Sequence, residues 1–165
     1  MTFIDKKDVT KLISGRVAIN DRINIPPRKS GVVIKSEYQV RRDELLVAMT
    51  PHMHLRGKAF KYEAIYEDGN REVLLDVPNY DFNWQLKYIL EEPKLLPRGT
   101  TIMCTAVYDN SEDNLANPNP DKYVGWGDQS WEEMMIGFFD TLPPETKSAE
   151  RKKSSPSLDP TGVYS

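Results

Sequence analysis

Only two histidines occur in the 165 residues, His52 and His54, and they stand one residue apart in Thr50-Pro51-His52-Met53-His54-Leu55-Arg56-Gly57-Lys58. On an extended segment residues i and i+2 point to the same side, so two imidazoles at this spacing can grip one metal ion, a geometry a helix would not give. Along such a strand Val47, Met49, Met53 and Leu55 make an apolar face, and Ala48, Thr50, His52 and His54 make the other. A lone histidine is commonly a satisfied structural residue; a pair on one strand face, with no other histidine in the chain, favours a metal site. Two nitrogens complete no metal's coordination. A third donor must be Cys104, a carboxylate or a methionine, and its identity selects the ion: thiolate suits zinc or copper, carboxylate zinc or iron, and a thioether Cu(I). Candidates gather in Trp131-Glu132-Glu133-Met134-Met135-Ile136-Gly137-Phe138-Phe139, although Met134 and Met135 taken alone read as core fillers.

The elements that must position these residues read as all-β. Alternating or β-branched stretches predict strands at Arg16–Ile25, Gly31–Gln39, Glu44–Met53, Ala59–Tyr66, Glu72–Val77, Gln85–Leu90, Thr100–Tyr108 and Met134–Thr141, separated by Gly, Pro, Asn and Asp clusters. About eight short strands suggest a single-domain sandwich. Glu67-Asp68-Gly69-Asn70 is a hairpin signal, while Pro26-Pro27 and Leu96-Pro97-Arg98-Gly99 interrupt other stretches. A short helical pattern appears only within Thr2–Ser14, from Asp5 onward. The connection from Asp109 to Ser130 is long and rich in Asn and Pro, a kind that is usually functional or mobile. Its Asp109-x-Ser111-x-Asp113 spacing resembles a calcium loop but lacks the glycine at the sixth position and has Pro120 where the closing Glu belongs. After Pro143 few apolar residues remain, so 143–165 reads as a disordered tail or linker.

Composition narrows the function classes. With 39% hydrophobic and 28% charged residues the chain can bury one ordinary core. A net charge of -3 argues against the broad basic field that nucleic acids or anionic membranes attract. Lys6-Lys7, Arg41-Arg42 and Arg151-Lys152-Lys153 read as solvated surface. The single cysteine, Cys104, forbids an internal disulfide, leaving the fold to its core or a metal. No signal peptide, spanning run or Asn-x-Ser/Thr acceptor is visible, which predicts either a cytoplasmic protein or a chain beginning after a removed leader.

A cupin also uses His-x-His on a strand, but it adds a Glu a few residues on and a later His, whereas Lys58 and Ala59 stand at the first place and no third histidine exists. The run His52-Met53-His54-Leu55-Arg56-Gly57-Lys58, followed about eighty residues later by Glu132-Glu133-Met134, resembles instead the C-terminal domain of the copper type II, ascorbate-dependent monooxygenases. That family includes peptidylglycine α-hydroxylating and dopamine β-monooxygenases. The likeness runs from about Ser14 to Thr141 and includes Ile25-Pro26-Pro27. It implies a jelly-roll β-sandwich over 14–142, preceded by an N-terminal segment, 1–13. It also implies copper held by His52, His54 and Met134 as the catalytic centre, O2 activation there, C–H hydroxylation, ascorbate or another electron donor, and a periplasmic or secreted setting.

Three departures qualify what the resemblance carries. The family's second copper sits on three histidines of a separate domain, and this chain has none left for it, so a further domain would have to supply it. Met135 stands where the animal enzymes have a disulfide-forming Cys. Ile136 and Phe138 replace an Asn and a Tyr that hold peptide, so the substrate, small molecule or peptide, is left open. A copper- or zinc-binding sandwich that carries or docks without turnover is the alternative, the zinc form using Glu132 or Glu133. Tyr80-Asp81-Phe82-Asn83-Trp84 and Tyr123-Val124-Gly125-Trp126-Gly127 read first as packing anchors, with a substrate surface as the second reading.

Overall fold

The computed structural model describes residues 12–144. Ten strands follow in order: β1 (Ser14–Ile19), β2 (Asn24–Ile25), β3 (Val32–Gln39), β4 (Glu44–His52), β5 (Gly57–Ile65), β6 (Arg71–Val77), β7 (Tyr88–Leu96), β8 (Thr101–Tyr108), β9 (Val124–Gly125) and β10 (Ile136–Leu142). The described residues contain no helix. The helical pattern read in Thr2–Ser14 falls outside them except at its end, where 12–13 are irregular and Ser14 opens β1. The tail from 145 onward is likewise outside the described residues.

Two four-stranded antiparallel sheets, ordered β1-β10-β4-β7 and β3-β8-β5-β6, face each other, and β2 pairs with β9 in a small third sheet. Without the two-residue β2 and β9, one sheet holds the first, eighth, third and sixth strands and the other the second, seventh, fourth and fifth. That is the double Greek-key order of a jelly roll. The core lies between the sheets: Leu46, Met49 and Phe139 from one meet Phe60, Tyr62, Ile102, Cys104 and Ala106 from the other, all essentially inaccessible. Each such large side chain contributes roughly 1.5–3 kcal/mol by leaving water. The sheets approach closely at Gly137, where a Cβ would stand 2.5 Å from Cys104 Sγ and 3.1 Å from the Tyr62 ring. Tyr62 Oη donates across this gap to the carbonyl of Phe138 at 3.0 Å.

Local chemistry explains where the strands differ from the sequence expectation. The stretch Arg16–Ile25 is two strands, because Asn20 Oδ1 accepts the Arg22 N–H at 2.8 Å and Asn20 Nδ2 donates to Lys35 O at 2.7 Å, closing an Asx turn. The strand expected at Gln85–Leu90 instead runs from Tyr88 to Leu96 through Pro93. As the edge strand of its sheet, β7 can hold a proline without losing an inter-strand bond. A register shift against β10 leaves Val47 as an extra residue, and against β7 it faces the unpaired residues 90–93. Leu46, Met49, Pro51 and Met53 therefore form the inner face, and Val47 does not belong to it. Between β5 and β6 the expected turn has Gly69 at φ 84°, a left-handed value that suits glycine, with its N–H donating to Tyr66 O at 2.9 Å.

The long 109–130 connection is ordered by amide side chains. Asn110, fully buried, donates through Nδ2 to Pro26 O and Lys122 O, both at 2.9 Å, and Asn114 Nδ2 donates to Asp109 O at 2.8 Å. These bonds do for the loop what a strand ladder would do for regular structure.

Candidate metal centre

His52 is the last residue of β4, and His54 lies in the turn that follows, nearly buried at 5% exposure. Alternation along β4 sends Met53 into the core and leaves both imidazoles on the outer side of the β1-β10-β4-β7 sheet. There the inter-strand register sets Ile19, Ile136 and His52 in one row and Val17, Phe138 and Thr50 in the next. The two rings stand with centroids 5.2 Å apart and planes at 88°, and the Phe82 ring closes on His54 at 5.8 Å.

Each imidazole has one nitrogen engaged by an acceptor. His52 Nδ1 is 2.7 Å from Gln85 Oε1. The amide orientation of Gln85 is itself fixed, because its Nε2 donates to Phe82 O at 2.9 Å. Nδ1 of His52 therefore carries the proton. His54 Nδ1 lies 3.3 Å from the carbonyl oxygen of Glu132, which can only accept. His52 is thus held as the Nδ1-protonated tautomer, an arrangement that outer partners impose on metal-binding histidines, while the His54 ring meets the carbonyls of both Glu132 and Gln129. Burial, with the neighbouring His52, lowers the pKa of His54 against the opposing carbonyls of Glu132 and Gln129, keeping it neutral.

The turn holding His54 is clamped by Glu133. Its Oε2 accepts the His54 N–H at 2.8 Å and its Oε1 the Arg56 N–H at 2.6 Å, and the residue is wholly buried. Burial pushes its carboxyl up to about 7 against the pull of those N–H groups. The inner side is pinned as well: Tyr80 Oη accepts the Met53 N–H at 3.0 Å and donates to Met53 O at 2.6 Å.

The possible third donors divide by position. Cys104 faces the core against Gly137, fully buried with its thiol pKa pushed up by burial, on the opposite side of the sheet from the histidines. Glu133 spends both oxygens on the backbone. Glu132 turns its Oε2 to the Gln129 N–H at 3.1 Å and lies against Gly127. Met135 is fully buried in the core. Met134 is half-buried, and its carbonyl accepts from Tyr108 Oη at 2.7 Å. Extending the β4–β10 register two residues beyond the His52–Ile136 pair sets Met134 across from His54. No group of three or more His, Cys, Asp and Glu side chains that could hold a metal ion converges among the described residues.

The spacing of the two imidazoles alone is of the size one shared ion would require. Imidazoles bound through Nε2 at about 2.0–2.1 Å have centroids about 3.2 Å from the ion, hence about 5 Å apart at a roughly tetrahedral angle, against the 5.2 Å observed.

Gln85, Glu133 and Tyr80 hold the two histidine positions from elsewhere in the chain; the sequence marked Glu133 as a candidate donor and Tyr80 as a packing anchor, and it did not mark Gln85. Of the aromatic loops, Tyr80 is a core anchor and Phe82 partly buried, whereas Trp84 and Tyr123 are exposed. Comparison with models of known protein families gave no match, and comparison with curated proteins gave none either.

Proposed function

We propose that this chain is a copper-binding β-sandwich of an ascorbate-dependent monooxygenase, with His52, His54 and Met134 holding one copper ion at which O2 is activated to hydroxylate a substrate C–H bond. The observation that carries the reading is the pair of adjacent imidazoles, their centroids 5.2 Å apart, whose Nδ1 atoms both meet acceptors. Bound there, copper supplies one-electron chemistry toward O2, and a thioether ligand favours the reduced ion that O2 must meet. The protein's own part is to hold donors and exclude water. Gln85 and the Glu132 carbonyl fix the rings, Glu133 holds the turn, and Ile136, Phe138 and Phe82 surround the histidines with apolar surface.

Because both histidines of the chain are spent here, a second redox centre built on histidine has to come from another domain, and this favours a second reading: a copper-binding carrier without turnover. Zinc bound through Glu133 finds no support, since that carboxylate is taken up by backbone N–H groups.

The deciding experiment is X-ray absorption on ascorbate-reduced, copper-loaded protein, comparing wild type with Met134→Ile and Met135→Ile. A sulfur scatterer lost only in Met134→Ile, beside about two imidazoles, is the expected result. A copper–sulfur contact that survives that change, or none in wild type, overturns the site. Ascorbate-fed oxygen uptake above that of free copper then separates the enzyme from the carrier.

A further inference from the structure

Behind the histidine turn lies a second feature that the copper reading does not use. Arg56 is only 2% exposed, yet no salt bridge among the described residues involves it. Its side-chain hydrogen bonds go to neutral acceptors: Nε donates to Asn110 Oδ1 at 2.8 Å and Nη1 to Trp131 O at 2.9 Å. Burial dominates its environment, opposed only by the charge of Glu133, whose oxygens point at backbone N–H groups. Its Nη2 makes no hydrogen bond among the described residues, and it is not one of the buried polar atoms left without a partner there, which are Thr100 Oγ1 and Ser111 Oγ. Arg56 nonetheless lines a hollow at the surface.

The hollow is a groove of about 380 Å³ lined by Arg56 together with Tyr123, Trp126 and Trp131. Lys122 adds a second positive charge to the lining. Glu132 also borders the groove, but its carboxylate accepts the Gln129 N–H and is folded onto Gly127. A guanidinium taken out of water without a counter-charge is costly, and the cost is recovered when an anion meets its free N–H groups. Flat aromatic walls recover surface only against a flat ligand. The volume lies within the range of small-molecule sites, about 300–1,000 Å³.

We infer that this groove binds a small organic anion with a flat ring, its carboxylate or enolate on Arg56 and its ring against the Trp131, Trp126 and Tyr123 side chains. Inorganic phosphate satisfies the charge but not the walls, and a neutral aromatic amide satisfies the walls but not the charge. The site needs no copper, so its test is run on chelator-treated protein and is independent of the metal reading.

The experiment is an NMR titration of ¹⁵N-labelled full-length protein with benzoate, benzamide and inorganic phosphate, following the Trp126 and Trp131 indole N–H signals. Benzoate is expected to saturate, with affinity about tenfold or more above both comparators, the size of one charge-assisted hydrogen bond. Trp131→Ala, an exposed side chain whose loss leaves the carbonyl bond to Arg56 in place, is expected to weaken benzoate at least several-fold with an unchanged melting temperature. Arg56→Lys keeps a charge but loses the fork, and is expected to weaken benzoate while leaving benzamide unaltered. Absence of saturation, equal affinity for benzamide or phosphate, or indifference to Trp131→Ala overturns the inference.

Discussion

Glu133 ties together the two stretches that carry the proposed ligands, since it precedes Met134 and its carboxylate accepts from the backbone of His54 and Arg56. Replacing it by alanine leaves two buried N–H groups without acceptors, each worth about 1–3 kcal/mol. Glu133→Ala is therefore expected to lower stability by about 2–4 kcal/mol in urea unfolding and Cu(I) affinity by about 10–100-fold in a competition titration. Glu133→Gln, keeping one carbonyl acceptor, should fall between. Unchanged copper affinity in a folded Glu133→Ala protein would show that the clamp does not orient the ligands. At this scale the sequence was legible where chemistry is local. The His-x-His spacing placed both rings on one face, whereas the choice of Met134 over Met135 came only from the motif resemblance. It was illegible where a partner comes from afar: Gln85 is 33 residues from His52 and Glu133 79 from His54, and nothing in either type or neighbourhood marks such a bond.

Strand β10 packs directly against the other sheet at Gly137. A methyl group there would press on Cys104 Sγ at 2.5 Å and on the Tyr62 ring at 3.1 Å. Gly137→Ala is expected to cost about 1–3 kcal/mol by overpacking. Cys104→Ala removes the atom in the way, so the double variant should be more stable than the sum of the single changes by about 1 kcal/mol or more. Thermal unfolding of the four proteins measures this, and strict additivity would place the strain elsewhere. Strands read best where period-2 patterning dominates, as in β3, β5 and β8. They read worst where a single residue changes the path. Asn20 closes a turn through its own side chain, Val47 adds a bulge, and Pro93, normally a strand breaker, is tolerated because β7 is an edge. Edge position is a property of the finished sheet and is invisible in the segment itself.

The jelly roll brings chain-distant strands together, and one ion pair depends on that closure. Arg16 of β1 and Glu44 of β4, with β10 between their strands, join through Nε to Oε2 at 3.1 Å and Nη2 to Oε1 at 2.5 Å, with the Glu44 side chain only 5% exposed. Burial pulls the Glu44 carboxyl upward, but Arg16, helped by Arg42, more than offsets it, so the pKa is lowered in the fold. A carboxyl with a lowered folded value contributes stability above its unfolded pKa, and that contribution is lost as pH falls through the folded value. Arg16→Met leaves the buried carboxylate without its main partner. Because Arg16 is partly exposed, the loss should be about 1–3 kcal/mol at pH 7, below that of a fully buried pair. The sign of the pH effect then separates charge from packing. In wild type, stability falls on acidification below about pH 4.5 as Glu44 takes up its proton. In Arg16→Met the carboxylate is a liability, so protonating it relieves the fold and the gap between the two proteins narrows. Urea unfolding at pH 7 and pH 4 reads this directly. A gap that stays constant would mean that Arg16 acts through its aliphatic stem, and that closure of β1 and β4 around β10 rests on apolar contact alone.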